Sequence, residues 1–156
     1  MKKLMWLLIF ALIVQLGYKI APALAQENKE IPEIKKVVQN YLESFAQRDI
    51  NSAMNKVSLN YSSKDKSGNI IDCNKLKSSL SDSITKLAGK YTSYSITGLK
   101  ITKSDVKDSK ATLWVVYSWK GFNLNTAKEE RGKHKRWISL AKEGDSWKIT
   151  SLKRIL

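Results

Sequence analysis

Between residues 34 and 45 apolar side chains recur at a helical interval: Ile34, Val37, Val38, Tyr41, Leu42 and Phe45. The spacing i, i+3, i+4, i+7, i+8, i+11 predicts one amphipathic helix with a single buried stripe. Pro32 suits its first turn, where a missing N–H costs nothing. Asp49 is placed to cap a second, short helix carrying Ala53, Met54 and Val57. Ser62 to Asn69 holds Lys64, Asp65, Lys66, Ser67 and Gly68 and reads as a turn. A third helix, capped by Asp72 or Asn74, carries the stripe Cys73, Leu76, Leu80, Ile84 and Leu87, with Gly89 as its terminator.

Beyond Gly89 the period shortens. Tyr91–Lys103, Lys110–Phe122, Lys133–Lys142 and Trp147–Ile155 are rich in Thr, Val, Ile, Tyr and Trp and are predicted as strands. The connections Ser104–Ser109, Asn123–Gly132 and Glu143–Ser146 pair consecutive strands antiparallel. Gly98 and Gly121 fall inside strands, where glycine marks a bulge or bend. Alternation puts Trp119 on the face of Leu113, Val115 and Tyr117, and Trp114 on the opposite face with Val116. That strand is apolar on both sides, as in a sheet covered by helices on one face and by a partner on the other. The fold class expected is α+β: N-terminal helices packed on a curved antiparallel sheet.

The first 25 residues follow a different pattern. Lys2 and Lys3 precede an apolar run from Leu4 to Leu16, and Ala21-Pro22-Ala23-Leu24-Ala25 supplies small residues at Ala23 and Ala25. This is the layout of a secretory signal peptide cleaved after Ala25. An uncleaved membrane anchor is the alternative, but a spanning helix needs about 20 apolar residues, and Lys19 and Pro22 interrupt the run. Lipid anchoring at the cleavage point would need a cysteine there, and the chain's one cysteine is Cys73. Cleavage removes three lysines and no acid, so the formal charge of +14 becomes +11 on 131 residues. That length suits a single domain, residues 26–156. A lone cysteine forms no internal disulfide, so packing alone must hold the domain. The expected location is periplasmic or extracellular.

The helix Ile34–Phe45 followed by Gln47-Arg48-Asp49, the stretch Val57-Ser58-Leu59-Asn60-Tyr61 leading to Asp65 and Gly68, and the closing pair Trp137-Ile138-Ser139-Leu140 and Gly144-Asp145-Ser146-Trp147-Lys148-Ile149 together resemble the nuclear transport factor 2-like superfamily, including its polyketide-cyclase-like (SnoaL-like, cystatin-like) members. The resemblance covers about residues 32–156. It implies a cone-shaped half-barrel with a pocket between helices and sheet, and dimerisation through the outer face of the sheet. It implies no single activity, since this fold hosts isomerases, dehydratases, hydrolases, scaffolds and binding modules. Enzymes of this type carry an Asp or Glu, often with a His, on the pocket side.

The acids of the C-terminal half, Asp105, Asp108, Glu129, Glu130, Glu143 and Asp145, all fall in the expected connections, which argues against a proton-transfer site. His134 is the sole histidine. It is a weak candidate general base, oriented by Glu129 or Glu130; lying between Lys133 and Lys135, it also reads as an exposed residue of a basic run. Cys73 reads as core packing. One histidine and one cysteine make no typical zinc site without carboxylates, and no glycine-rich phosphate loop, HExxH or GxSxG pattern is present. No metal or cofactor is expected. Arg131-Gly132-Lys133-His134-Lys135-Arg136-Trp137 is the densest basic segment. Arg131, Lys133, His134, Lys135 and Arg136 are the candidate binding residues for an anionic polymer or an anionic membrane surface; export makes nucleic acid a poor fit. The leading functional expectation is an exported small-ligand-binding or scaffold protein forming a homodimer through its sheet. The alternatives are an enzyme acting on a small apolar ligand in the pocket and an envelope assembly scaffold with an uncleaved anchor.

Overall fold

A computed structural model of the chain describes residues 30–154; the expected signal segment lies outside them. The first helix, α1, covers residues 30–46. From Ile34 onward its stripe is buried as the periodicity requires, with Ile34, Val38, Tyr41 and Leu42 inside and Val37 and Phe45 packed against them. The chain then turns through Arg48, whose backbone is left-handed at φ 66° and whose guanidinium donates to the Tyr91 carbonyl at 2.9 Å. Asp49 caps α2 (Ile50–Met54) by accepting from the Ser52 N–H at 2.9 Å. Val57 lies beyond α2, in a parallel bridge to Ile149.

The segment expected as a plain turn is a small hairpin, β1 (Ser62–Lys64) and β2 (Ile70–Asp72). Its tip is held by Asp65, whose carboxylate accepts from the Ser67 and Asn69 N–H groups at 2.8 and 2.9 Å. Asp72 caps α3 (Cys73–Lys90) through the Lys75 N–H at 2.8 Å. Leu76 and Leu80 are buried, and Cys73 packs partly buried against the core. Gly89 does not end this helix. It sits exposed within the last turn, and α3 passes straight into the sheet at Tyr91.

Four antiparallel strands follow in sequence order: β3 (Tyr91–Lys107), β4 (Lys110–Asn123), β5 (Lys128–Glu143) and β6 (Ser146–Arg154). Two are longer than the sequence predicted. β3 absorbs most of Ser104–Ser109, and the turn contracts to Asp108 and Ser109, with Asp108 at φ 54°. β5 begins at Lys128 rather than Lys133, so the expected connection Asn123–Gly132 shrinks to residues 124–127. The composition of 128–133 is charged, yet every residue there has a partner on β4, and the ladder hydrogen bonds override local preference. A register shift falls at Gly98, the expected bulge. Gly121 has no shift; it permits close approach, since a Cβ there would lie 2.9 Å from both the Ser93 oxygen and the Tyr91 ring.

The inner face of this open sheet carries the core. Ala111, Leu113, Val115, Ile138, Leu140 and Ile149 are buried in one cluster with the stripes of α1 and α3. Each such aliphatic side chain removed from water stabilises by about 1.5–3 kcal/mol, alanine by less. Trp147 is in this cluster, whereas Trp114 and Trp137 lie on the opposite, outer face. Among the described residues no helix is long and apolar enough to cross a membrane.

Candidate functional site

Because successive side chains of a strand point to opposite faces, the basic run of β5 cannot form one patch. Val115 and Tyr117 face the core, and their partners on β5 are Arg136 and His134. Arg136 and His134 are therefore turned inward, and both are half-buried. Arg131, Lys133 and Lys135 face outward with Trp137 and are exposed. The five expected binding residues thus split into two sets, and the reading of His134 as a solvent-facing member of the run is corrected.

The inward set continues from the core cluster, of which Tyr117 is a member, toward the Gly132–Glu130 end of the sheet. His134 is 5.3 Å, ring centre to ring centre, from Tyr117 and is stacked 6.2 Å from Trp119. Tyr94 stacks on Trp119 at 5.3 Å, and Tyr91 meets Trp119 edge-on at 5.7 Å. The Arg136 guanidinium lies 5.8 Å from the Tyr117 ring. Trp119 occupies the space over its cross-strand partner Gly132, where a Cβ would fall 2.7–2.8 Å from the indole. Its Nε1 is buried without a hydrogen-bond acceptor among the described residues. Burial pushes the Tyr94 hydroxyl well above its ordinary pKa, with Tyr117 and Tyr91 adding to the effect and Arg136 opposing it. Tyr41, from α1, is raised in the same way by burial and by Tyr61 and Tyr117, again against Arg136. At neutral pH these tyrosines are protonated hydrogen-bond donors grouped around one fixed cation.

A carboxylate also reaches this end, contrary to the expectation that every acid lies in a connection. Glu130 is within β5 and pairs with Gly121. It accepts from the Tyr91 hydroxyl at 2.6 Å and from the Asn123 amide, and Lys90 lies 3.4 Å away. These two hydrogen bonds, and after them Lys90, hold its pKa below the ordinary value. Glu130 is thus an ionised, fully engaged anchor that joins β3, β4 and β5, not a proton donor. Asp105, Glu129 and Glu143 also fall within strands; Glu129 is paired with Arg131 at 2.7 Å, and Glu143 accepts from the Ser58 hydroxyl at 2.6 Å. Among the described residues no group of three or more His, Cys, Asp or Glu is placed to hold a metal ion.

Among solved structures the likeness is extensive in shape and faint in sequence. A proposed scytalone dehydratase from Novosphingobium aromaticivorans matches with a TM-score of 0.67 at 10% identity, over 83% of this chain and 87% of its own. A nuclear transport factor 2-like superfamily protein from Salmonella enterica matches at 0.62 and 13%, over 83% and 92%. The chain has the nuclear transport factor 2-like fold. A proposed dehydratase of nuclear transport factor 2-like type from Streptomyces avermitilis shares the fold with a TM-score of 0.64 at 8% identity, over 83% of this chain and 99% of its own. No family model matches the sequence, and no curated protein does. The inner side of this half-barrel, between sheet and helices, holds the Tyr94, Tyr117, Trp119, His134 and Arg136 group. Sequence reasoning had placed Trp119 and Tyr117 on one face but had not joined them to His134 and Arg136, because that step needs the β4–β5 register.

The Glu130 linkage has a definite sign. A carboxylate whose folded pKa is depressed contributes stability that is present above its unfolded value and is lost as pH falls through the folded one. Urea midpoints should therefore fall between neutral pH and about pH 3, and Glu130→Gln should narrow that difference by removing the titration. An unchanged acid limb in the variant would show that Glu130 carries no such linkage.

Proposed function

We propose that this is an exported small-ligand-binding protein whose ligand occupies the open end of the sheet's inner face. Residues 1–25 are removed on export in this reading, and 26–156 act as one domain. The observation that carries the reading is the inward placement of Arg136 and His134 among Tyr94, Tyr117 and Trp119. Aromatic rings supply large apolar contact area with polar tips. A guanidinium that never titrates supplies one strong, charge-assisted contact. The ligand that suits this set has a flat apolar body and a single anionic group, with the protonated Tyr94 hydroxyl donating to a further oxygen.

A second reading, an acid–base enzyme, draws on one observation: His134 lies between Tyr117 and Trp119 rather than in solvent. Two of the structural neighbours are described as proposed dehydratases, a reaction that needs a base and a proton donor. His134 would be the base and Tyr94 or Tyr117 the donor. The binding reading is preferred because the inward carboxylate, Glu130, is already committed to Tyr91 and Asn123.

Export is tested by mass spectrometry of the protein recovered outside the cytoplasm: the first residue should be Gln26, and an intact Met1 in the membrane fraction would favour an anchored scaffold instead. Ligand binding is tested by titrating 8-anilinonaphthalene-1-sulfonate, an aromatic sulfonate whose fluorescence rises on burial. Saturable one-to-one binding is expected. A hydrogen bond to a charged group contributes about 1.5–3 kcal/mol, so Arg136→Met should weaken binding by about tenfold or more. Lys133→Ser, on the outer face, should leave it unchanged. Equal binding by wild type and Arg136→Met would remove the proposed site.

A further inference from the structure

The outer face of the sheet is built differently from the inner one. Across its four strands runs a single transverse row: Lys103 opposite Trp114, Trp114 opposite Trp137, and Trp137 opposite Lys153. The two indoles lie 4.6 Å apart, and the Lys103 ammonium sits 4.8 Å from the Trp114 ring centre. Below this row Lys100, Val116 and Lys135 are neighbours, then Ser118 and Lys133, then Lys120 directly opposite Arg131. A groove of about 400 Å³ runs beside Ser118, Arg131 and Lys133. Like charges directly opposite on a sheet are destabilising, so this arrangement opposes folding slightly and is relieved by an external anion. Asp105, Glu129 and Glu143 are the acids on the same face of β3 and β5; Glu129 is paired with Arg131, and Glu143 accepts from the Ser58 hydroxyl at the far end of the strand.

We propose that this outer face docks on an anionic lipid bilayer surface, with Trp137 at the headgroup level and Lys100, Lys103, Lys120, Arg131, Lys133 and Lys135 spread over the charged plane. This goes beyond the ligand site, from which it is separated by the thickness of the sheet. Charge complementarity names the partner as anionic, and three features select a surface over a polymer. The cations are nearly all lysines, compact point charges suited to a smeared anionic plane, whereas planar, bidentate recognition of individual phosphates or sulfates favours arginine. They cover several strands rather than one track. The Trp114 ring already packs against Lys103 and Trp137, contacts that compete with stacking a base, on which single-strand binding relies. Trp137 is 40% exposed, and tryptophan beside snorkelling lysines is characteristic of the membrane–water interface. A second copy on the same face would set Lys120, Lys133 and Lys135 against their own equivalents, which electrostatics opposes despite the apolar Trp114 and Val116.

The test is co-sedimentation of the exported protein with phosphatidylcholine vesicles, with and without phosphatidylglycerol. Binding should require phosphatidylglycerol and weaken as salt rises, the Debye length falling from about 10 Å at 0.1 M to about 3 Å at 1 M. Replacing Lys120, Lys133 and Lys135 together with Ser should weaken it by about a hundredfold. Replacing Lys36, Lys77 and Lys86, exposed on the helices, with Ser changes net charge equally and should have far less effect. Trp137→Ser should weaken binding at constant charge. Both triples should keep the wild-type circular dichroism and the sulfonate-dye titration, so failure here is distinguishable from failure of the ligand site. Equal losses from the two triples would reduce the face to part of a diffuse field. Binding to soluble polyphosphate but not to vesicles would replace the membrane with a linear polyanion. A concentration-dependent dimer abolished by Trp137→Ser would make the face a self-interface. No vesicle binding at low salt would overturn the proposal outright.

Discussion

Trp119 lies across the backbone of Gly132, and a Cβ at that position would fall 2.7 Å from the indole. This contact helps to set the register between β4 and β5, and everything chemical in the molecule follows from that register. A slip of one residue along a strand exchanges its faces completely. It would put Lys133 and Lys135 against the tyrosines and turn His134 and Arg136 out to solvent. The aliphatic pairs further along, Leu113 with Ile138 and Ala111 with Leu140, enforce the same register through burial, so core packing and site geometry are one constraint.

Given that register, a strand that is polar over most of its first nine residues serves two surfaces. Inward, Arg136 and His134 lie among aromatic rings, and burial keeps the hydroxyls of Tyr94 and Tyr41 protonated. Outward, Arg131, Lys133 and Lys135 join lysines from β3 and β4 around a tryptophan pair. The inner group is small, aromatic and half-buried, which suits a single compact ligand. The outer group is broad, exposed and has more cations than acids, which suits a charged plane. Glu130 ties this end of the sheet together by accepting from Tyr91 on β3 and Asn123 on β4, so hydrogen bonds add to the core packing that already reaches Tyr117.

The helices and the order of the strands were legible because their apolar residues repeat at 3.6 or 2 over long stretches. Ile34 to Phe45 is a clear instance of the helical repeat, and Lys110 to Phe122 stands out as a run of Val, Tyr and Trp apolar on both faces; the α+β class follows from them, and the cone shape from the family resemblance. Residues 128–133 were not legible as strand. Lys128, Glu130 and Gly132 alternate with Glu129, Arg131 and Lys133, so neither face carries the apolar signal that marks a strand. The same silence hid Glu130 as an inward carboxylate. His134 and Arg136 were singled out by residue type, but their side could be read only from their pairing with Tyr117 and Val115. Gly89 misled in the opposite sense: a helix terminator by composition, it remains helical because Tyr91 continues directly into β3.

Thiol labelling tests the division of β5 into two faces most directly. In a background with Cys73 replaced by Ser, single cysteines would be placed at 133, 134, 135 and 136 and their rates of modification by a bulky charged maleimide compared. The account predicts alternation: fast reaction at 133 and 135, slow reaction at 134 and 136. Rates that rise or fall smoothly along the four positions, or the reverse alternation, would contradict the register on which both surfaces depend.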